Sequence, residues 1–147
     1  MIKAEDLRIG DLVRVSCNCS LAEGTIGTIV EISKETNAED TKGFIRLIPI
    51  NSISNYGWGI YCDNIEGIPL TLEILEKNGW KKRTEGWYFM MISKYMYLSV
   101  EFGYENGIRV FLKRTTDGLY VKLNIANNVH ELQHILWALG LDANLKI

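Results

Sequence analysis

The chain has 147 residues, 47% apolar and 23% charged, with 16 basic and 18 acidic side chains for a net charge of −2. This is the balance of an ordinary globular protein of one domain or two small ones, and it excludes a disordered tail, a coiled coil and a collagen-like chain. The longest unbroken apolar run, residues 87–92, falls far short of the ~18 residues of a membrane span. The start Met1-Ile2-Lys3-Ala4-Glu5-Asp6 lacks the apolar stretch of a secretory signal, so a cytoplasmic protein without membrane association is expected.

Charge is distributed unevenly. Residues 1–66 carry 6 basic and 10 acidic groups, and residues 67–147 carry 10 and 8. A domain that grips phosphate backbones shows a clear basic excess, so the first half repels nucleic acid on average and the second attracts it weakly. In chain order, 1–66 holds short β-rich runs at 12–15, 24–32, 44–48 and 58–61, separated by polar stretches, notably 33–42. Such runs with glycines at their ends predict a small barrel. Gly10-Asp11-Leu12-Val13-Arg14-Val15, followed by Gly24 and Gly27-Thr28-Ile29-Val30, resembles an SH3-like barrel of the kind found in KOW modules, where glycines allow sharp strand bends.

Three cysteines, Cys17, Cys19 and Cys62, are too few for a disulfide scaffold. A Cys-x-Cys pair on an extended segment sends both thiols to one face, so with Cys62 and a histidine it would make a Cys₃His zinc site. Against that stands the ordinary reading, small apolar side chains in a reducing compartment.

The junction is expected at 63–69, giving a part at 1–66 and a part at 67–147. Thr71 then caps a helix over 72–78 that buries Leu72, Ile74 and Leu75, with Glu73 and Glu76 in the early turns and Gly79 just past its end. Four strand-like runs follow, at 87–92, 95–104, 108–113 and 119–125. A three-residue loop Glu105-Asn106-Gly107 pairs Phe102 with Val110 and Val100 with Leu112, whereas a two-residue turn would bury charge. A four-residue loop at 114–117 places Leu119, Val121 and Leu123 opposite Leu112, Val110 and Ile108. One sheet face is then aliphatic: Leu98, Val100, Phe102, Ile108, Val110, Leu112, Leu119, Val121 and Leu123. A final helix over 129–139, capped by Asn128 and ended by Gly140, carries Val129, Leu132, Ile135, Leu136 and Leu139 as one stripe. The expected class is α+β: an SH3-like barrel followed by an αββββα antiparallel sheet with both helices on the aliphatic face.

His130-Glu131-Leu132-Gln133-His134 matches H-E-x-x-H on a helix, where two histidines one turn apart would ligate zinc and the glutamate would activate its water. A catalytic zinc needs a third protein ligand. Only Asp142 follows within the last 13 residues, and Trp137 and Gly140 stand where the extended motif has glycine and histidine. At 100° per residue the pair lies opposite the apolar stripe, so His130 and His134 are expected on a solvent-facing side, with zinc hydrolysis as a secondary alternative.

The other sheet face is less ordinary. Alternation gives it Tyr95, Tyr97, Ser99 and Glu101, then Arg109, Phe111 and Lys113, then Tyr120, Lys122 and Asn124. Aromatics interleaved with Arg and Lys cover a partner protein or second copy, stack bases, or lie beneath the N-terminal barrel. Trp137, on the outer side of the last helix, is a second aromatic in need of cover. The sole basic cluster, Lys81-Lys82-Arg83, reads as a solvated turn. No phosphate-binding glycine loop and no nucleophile elbow is found.

Three segments carry a resemblance: Leu7-Arg8-Ile9-Gly10-Asp11-Leu12-Val13 near the start, Ile68-Pro69-Leu70-Thr71-Leu72-Glu73-Ile74-Leu75-Glu76-Lys77-Asn78-Gly79-Trp80 in the middle, and Val129-His130-Glu131-Leu132-Gln133-His134-Ile135-Leu136-Trp137-Ala138-Leu139 near the end. Together they resemble a group of small uncharacterised proteins encoded in Bacteroides genomes and their prophages or phages. Asp11 and His134 stand where that group has Asn, and Trp80 where it has Phe. The resemblance implies a mobile-element setting and brings no catalytic residue. The expected function is therefore a non-enzymatic protein-interaction module without a cofactor, acting through Tyr95, Tyr97, Arg109, Phe111, Lys113, Tyr120, Lys122 or Trp137. Nucleic-acid binding through the same face is the alternative.

Overall fold

The structure, a computed structural model, describes residues 2–33 and 43–147. The predicted polar stretch at 33–42 lies, apart from Ser33, outside the described residues. The chain is α+β and mostly β, and it divides into two compact units, Met1–Ile68 and Pro69–Ile147. The expected division after residue 66 would cut a strand, for Gly67 is still paired with Val13.

In the first unit, β1 (Leu12–Val15), β2 (Ile26–Ser33), β3 (Phe44–Pro49), β4 (Trp58–Tyr61) and β5 (Ile65–Gly67) form one antiparallel sheet in the order β4-β3-β2-β1-β5. A 3₁₀ turn, Cys62–Asn64, links β4 to β5. Alternating residues Val13, Val15, Ile29, Ile45, Leu47, Ile60 and Ile65 meet in the core with Leu7 and Cys62, as the period of two in a half-buried strand requires. Gly27 is needed for close approach, since a Cβ there would sit within 3 Å of the Leu47 side chain and the Ile48 carbonyl. A bulge between Ile29 and Glu31 then bends β2. The expected barrel is not a closed one: among the described residues no ladder joins β4 to β5. Asp11 is buried, and its carboxylate accepts the Arg8 N–H at 2.8 Å.

The second unit opens with α1 (Leu72–Lys77), capped by the Thr71 hydroxyl, which accepts the Ile74 N–H at 3.3 Å. The strands β6 (Lys81–Thr84), β7 (Trp87–Ser93), β8 (Met96–Glu101), β9 (Arg109–Arg114) and β10 (Tyr120–Ile125) form an antiparallel meander, and α2 (Val129–Ala138) closes the unit. The expected αββββα pattern therefore gains a strand. Lys81-Lys82-Arg83 is not a turn but the outer edge, paired with β7.

Both predicted hairpins are displaced by two residues. Val100 pairs with Val110 rather than Leu112, and Val121 with Leu112 rather than Val110. The first loop is longer than three residues because both Gly103 and Gly107 take left-handed backbone, at φ 90° and 97°. A two-residue slip preserves which face each side chain occupies. Leu98, Val100 and Val110 are accordingly buried on the aliphatic face, where Tyr88 also donates its hydroxyl to Glu76 of α1 at 2.9 Å. Leu119 and Val121 are not buried as expected: at the open start of the edge strand they are 61% and 62% exposed. A bulge between Lys122 and Asn124 then moves Asn124 off the opposite face and sets it against Val110.

The chain beyond α2 folds back within this unit. The Asn78 side chain donates to the Lys146 carbonyl and accepts the Lys146 N–H, both at 2.8 Å, and Gln133 donates to the Ala143 carbonyl at 3.0 Å. This segment covers a second side of α2 at Gln133.

Candidate interaction face

Strand register brings most of the predicted face together. One row across the sheet is Tyr120, Lys113, Tyr97 and Met91. The next is Lys122, Phe111, Ser99 and Phe89, and a third holds Arg109, Glu101 and Trp87. Tyr97, Arg109, Phe111, Lys113, Tyr120 and Lys122 thus share one surface. Tyr95 lies instead in the turn between β7 and β8, exposed, with the Lys94 ammonium over its ring.

Sequence reasoning found the run at 87–92 that becomes β7 but not which of its residues face this surface, and it read β6 as a turn. Trp87-Tyr88-Phe89-Met90-Met91-Ile92 is apolar at every position, so alternation gives no signal there. Register places Trp87, Phe89 and Met91 on this face, with Lys81 opposite Phe89. Arg83 reaches the same surface, donating to the Tyr97 hydroxyl at 3.2 Å.

The centre of the face is filled. Glu101 is 3% exposed, and its carboxylate accepts from the Lys113 ammonium at 2.6 Å, the Tyr104 hydroxyl at 3.2 Å and the Ser99 hydroxyl at 3.4 Å. Tyr97, the cross-strand neighbour of Lys113, lies four residues before Glu101, so the Lys113 side chain reaches diagonally across the sheet to meet it. Its ammonium ends 4.6 Å from the Trp87 ring centroid, 5.0 Å from Phe111 and 5.8 Å from Tyr120. Such an ammonium gains from the rings as well as from the carboxylate. Arg109 stacks on Tyr104 at 3.7 Å, Phe111 meets Tyr120 edge-on at 5.6 Å, and Phe89 meets Tyr97 at 6.0 Å. Phe111, expected as a contact residue, is buried, whereas Tyr120 is 65% exposed beside exposed Lys122. The accessible parts of this surface are its two margins, Tyr120 and Lys122 on β10 and Lys81, Arg83 and Met91 on β6 and β7.

The H-E-x-x-H motif stands differently from its expectation. His130 is buried at 4% exposure, not solvent-facing, and His134 is half-buried, its ring stacked on Trp137 at 5.9 Å. Helix α2 buries Val129, His130, Leu132, Gln133, Ile135 and Leu136, a wider arc than one apolar stripe. Trp137 is therefore half-buried against His134 rather than displayed. The two imidazoles lie 5.9 Å apart, but among the described residues no three His, Cys, Asp or Glu side chains gather as metal ligands. Glu131 has another task. Its carboxylate accepts the Asn128 N–H at 2.8 Å and completes a capping box at the start of α2.

Cys17 is half-buried, Cys19 exposed and Cys62 buried, all as free thiols. Burial pushes the Cys17 thiol above its ordinary range, with Cys19 adding to it, and burial does the same for Cys62 beside Asp63. Among the described residues no helix is long and apolar enough to cross a membrane. Comparison of the chain with protein-family models, curated proteins and solved structures finds no match.

Proposed function

We propose that the protein is a non-enzymatic, cytoplasmic interaction module whose contact surface is the β10 margin of the aromatic and basic face. One observation carries this reading. The Lys113–Glu101 pair, boxed by Trp87, Phe111 and Tyr120, holds the centre of the face rigid and leaves Tyr120 and Lys122 at its accessible rim. Pre-ordered tyrosine flanked by cations is the chemistry of protein-contact hot spots. The first unit is read as SH3-like, supported by its strand order and by the 3₁₀ turn between its last two strands. The mobile-element setting rests on the resemblance of the three segments alone.

Nucleic-acid binding is the second reading, and the finding that β6 adds Lys81 and Arg83 to the same face favours it. Zinc hydrolysis would need Glu131 released from its cap and a third ligand.

The test pairs wild type with the double variant Tyr120→Ala, Lys122→Ala in affinity capture and low-salt gel-shift assays. Loss of a captured protein in the variant, with no shift of oligonucleotide by wild type, supports the protein-binding reading. A salt-sensitive shift that the variant abolishes replaces it with the nucleic-acid reading. Capture unchanged in the variant refutes the assignment of this rim.

A further inference from the structure

The two edges of the second sheet are built differently. The β6 edge carries Lys81, Lys82 and Arg83, the kind of charge that blocks edge-to-edge pairing. The β10 edge carries Leu119, Tyr120 and Val121, between 61% and 65% exposed. A strand whose residues are exposed on both faces at its open end has neither helix nor sheet covering it.

Main-chain direction is fixed by one bond. The Arg114 N–H donates to the Leu119 carbonyl at 2.8 Å, so Leu119 and, two residues on, Val121 turn their main-chain groups toward β9. Tyr120 and Lys122 therefore turn theirs outward. Each copy of the chain presents two N–H and two C=O groups, symmetrically placed about Val121.

We propose that β10 pairs antiparallel with β10 of a second copy, about a two-fold axis through Val121. This rests on the protein-binding reading above and names its partner. In this register Tyr120 of each copy faces Lys122 of the other as a hydrogen-bonded pair, so all the outward groups of both residues are used. Lysine lies beside tyrosine on the aromatic face, an arrangement that cation–π attraction favours. Val121 meets Val121 on the aliphatic face. Centring on Lys122 would set lysine against lysine, and centring on Tyr120 would set Lys122 against Gly118, whose φ of 70° is not that of a strand. Charge and main-chain geometry thus select one register, and the β6–β10 sheets of the two copies join into a single continuous layer.

The test is the solution mass of the full chain by light scattering across a wide concentration range, with circular dichroism to show that each variant is folded. Wild type is expected at twice the 16.8 kDa chain mass. Val121→Lys places like charges on the axis at an exposed position and is expected at the single mass, as is Val121→Glu. An equimolar mixture of the two variants is expected to return to the double mass, because lysine then meets glutamate. Wild type at the single mass throughout, or a dimer indifferent to Val121→Lys, overturns the proposal. A monomeric wild type whose captured partner is still lost on Tyr120→Ala, Lys122→Ala overturns this proposal alone and leaves the protein-binding reading standing.

Discussion

Replacing Lys113 by Met keeps most of the apolar stem but removes the charged end, and it tests the filled centre of the face directly. The Lys113 and Glu101 side chains are only 12% and 4% exposed. The variant leaves a buried carboxylate with two neutral donors, Tyr104 at 3.2 Å and Ser99 at 3.4 Å, both long for bonds to a charged acceptor. Removing one partner of a buried pair costs about 3–5 kcal/mol. An exposed pair would cost only about 0–1 kcal/mol. Urea denaturation followed by tryptophan fluorescence reads the difference, and Trp87, against the ammonium, reports locally. The double variant Lys113→Met, Glu101→Leu removes both charges and is expected to regain most of the loss, since buried pairs exchange for apolar residues at little net cost. A loss below about 1 kcal/mol for Lys113→Met would refute the claim that this pair organises the face.

Three further outcomes follow from named bonds. Glu131→Ala should destabilise by about 1 kcal/mol through loss of the α2 cap, with Glu131→Gln retaining most of it, as thermal denaturation would show. Asn78→Ala removes both bonds to Lys146 and should cost about 1–3 kcal/mol, with faster amide exchange at Lys146. The hydrogen bond to Glu76, reinforced by burial, pushes the Tyr88 hydroxyl above its ordinary range. Its folded value is thus raised, so the stabilisation is complete below the ordinary tyrosine pKa of about 10 and lost as pH rises through the folded value. Urea midpoints of wild type should fall across that alkaline window, and those of Tyr88→Phe should fall less.

What could be read from the residues was what local chemistry decides. Thr71 and Asn128 cap their helices because short polar side chains accept main-chain N–H groups, and those two helices begin where expected. Face assignment in β8 and β9 also survived, because an error of two residues leaves parity intact. Loop length did not, since nothing local states that Gly103 as well as Gly107 turns left-handed. Strand β6 was illegible for a different reason: Lys81-Lys82-Arg83-Thr84 has no apolar alternation, and its pairing depends on a partner strand that is apolar throughout. The burial of His130 and Gln133 belongs to long-range folding. The Gln133 amide meets a carbonyl ten residues on, which no helical period foretells. Glu131 shows the opposite case. The spacing of Asn128 and Glu131 is a capping signature, and the louder H-E-x-x-H pattern masked it.

The same geometry limits how strongly this surface holds a single-stranded nucleic acid. Base stacking needs open ring faces, yet Phe111 and Phe89 are engaged edge-on, Trp87 faces the Lys113 ammonium and Tyr104 faces Arg109. Lys113 is spent on Glu101. The exposed cations of the face are Lys81, Arg83 and Lys122. Three phosphate contacts give a salt slope of about −2, taking ~0.7 per contact for single strands, so affinity should fall about twentyfold between roughly 50 and 200 mM salt. Dedicated binders making 6–10 contacts lose about 10³–10⁵ over that interval. Fluorescence anisotropy with a labelled oligonucleotide measures the slope. A value near −4 or steeper would mean that cations beyond this face engage phosphate, and the nucleic-acid reading would then displace the protein-binding one. A slope near −2 with weak affinity marks the contact as incidental charge attraction, which is what a rim of three cations around a locked ion pair can supply.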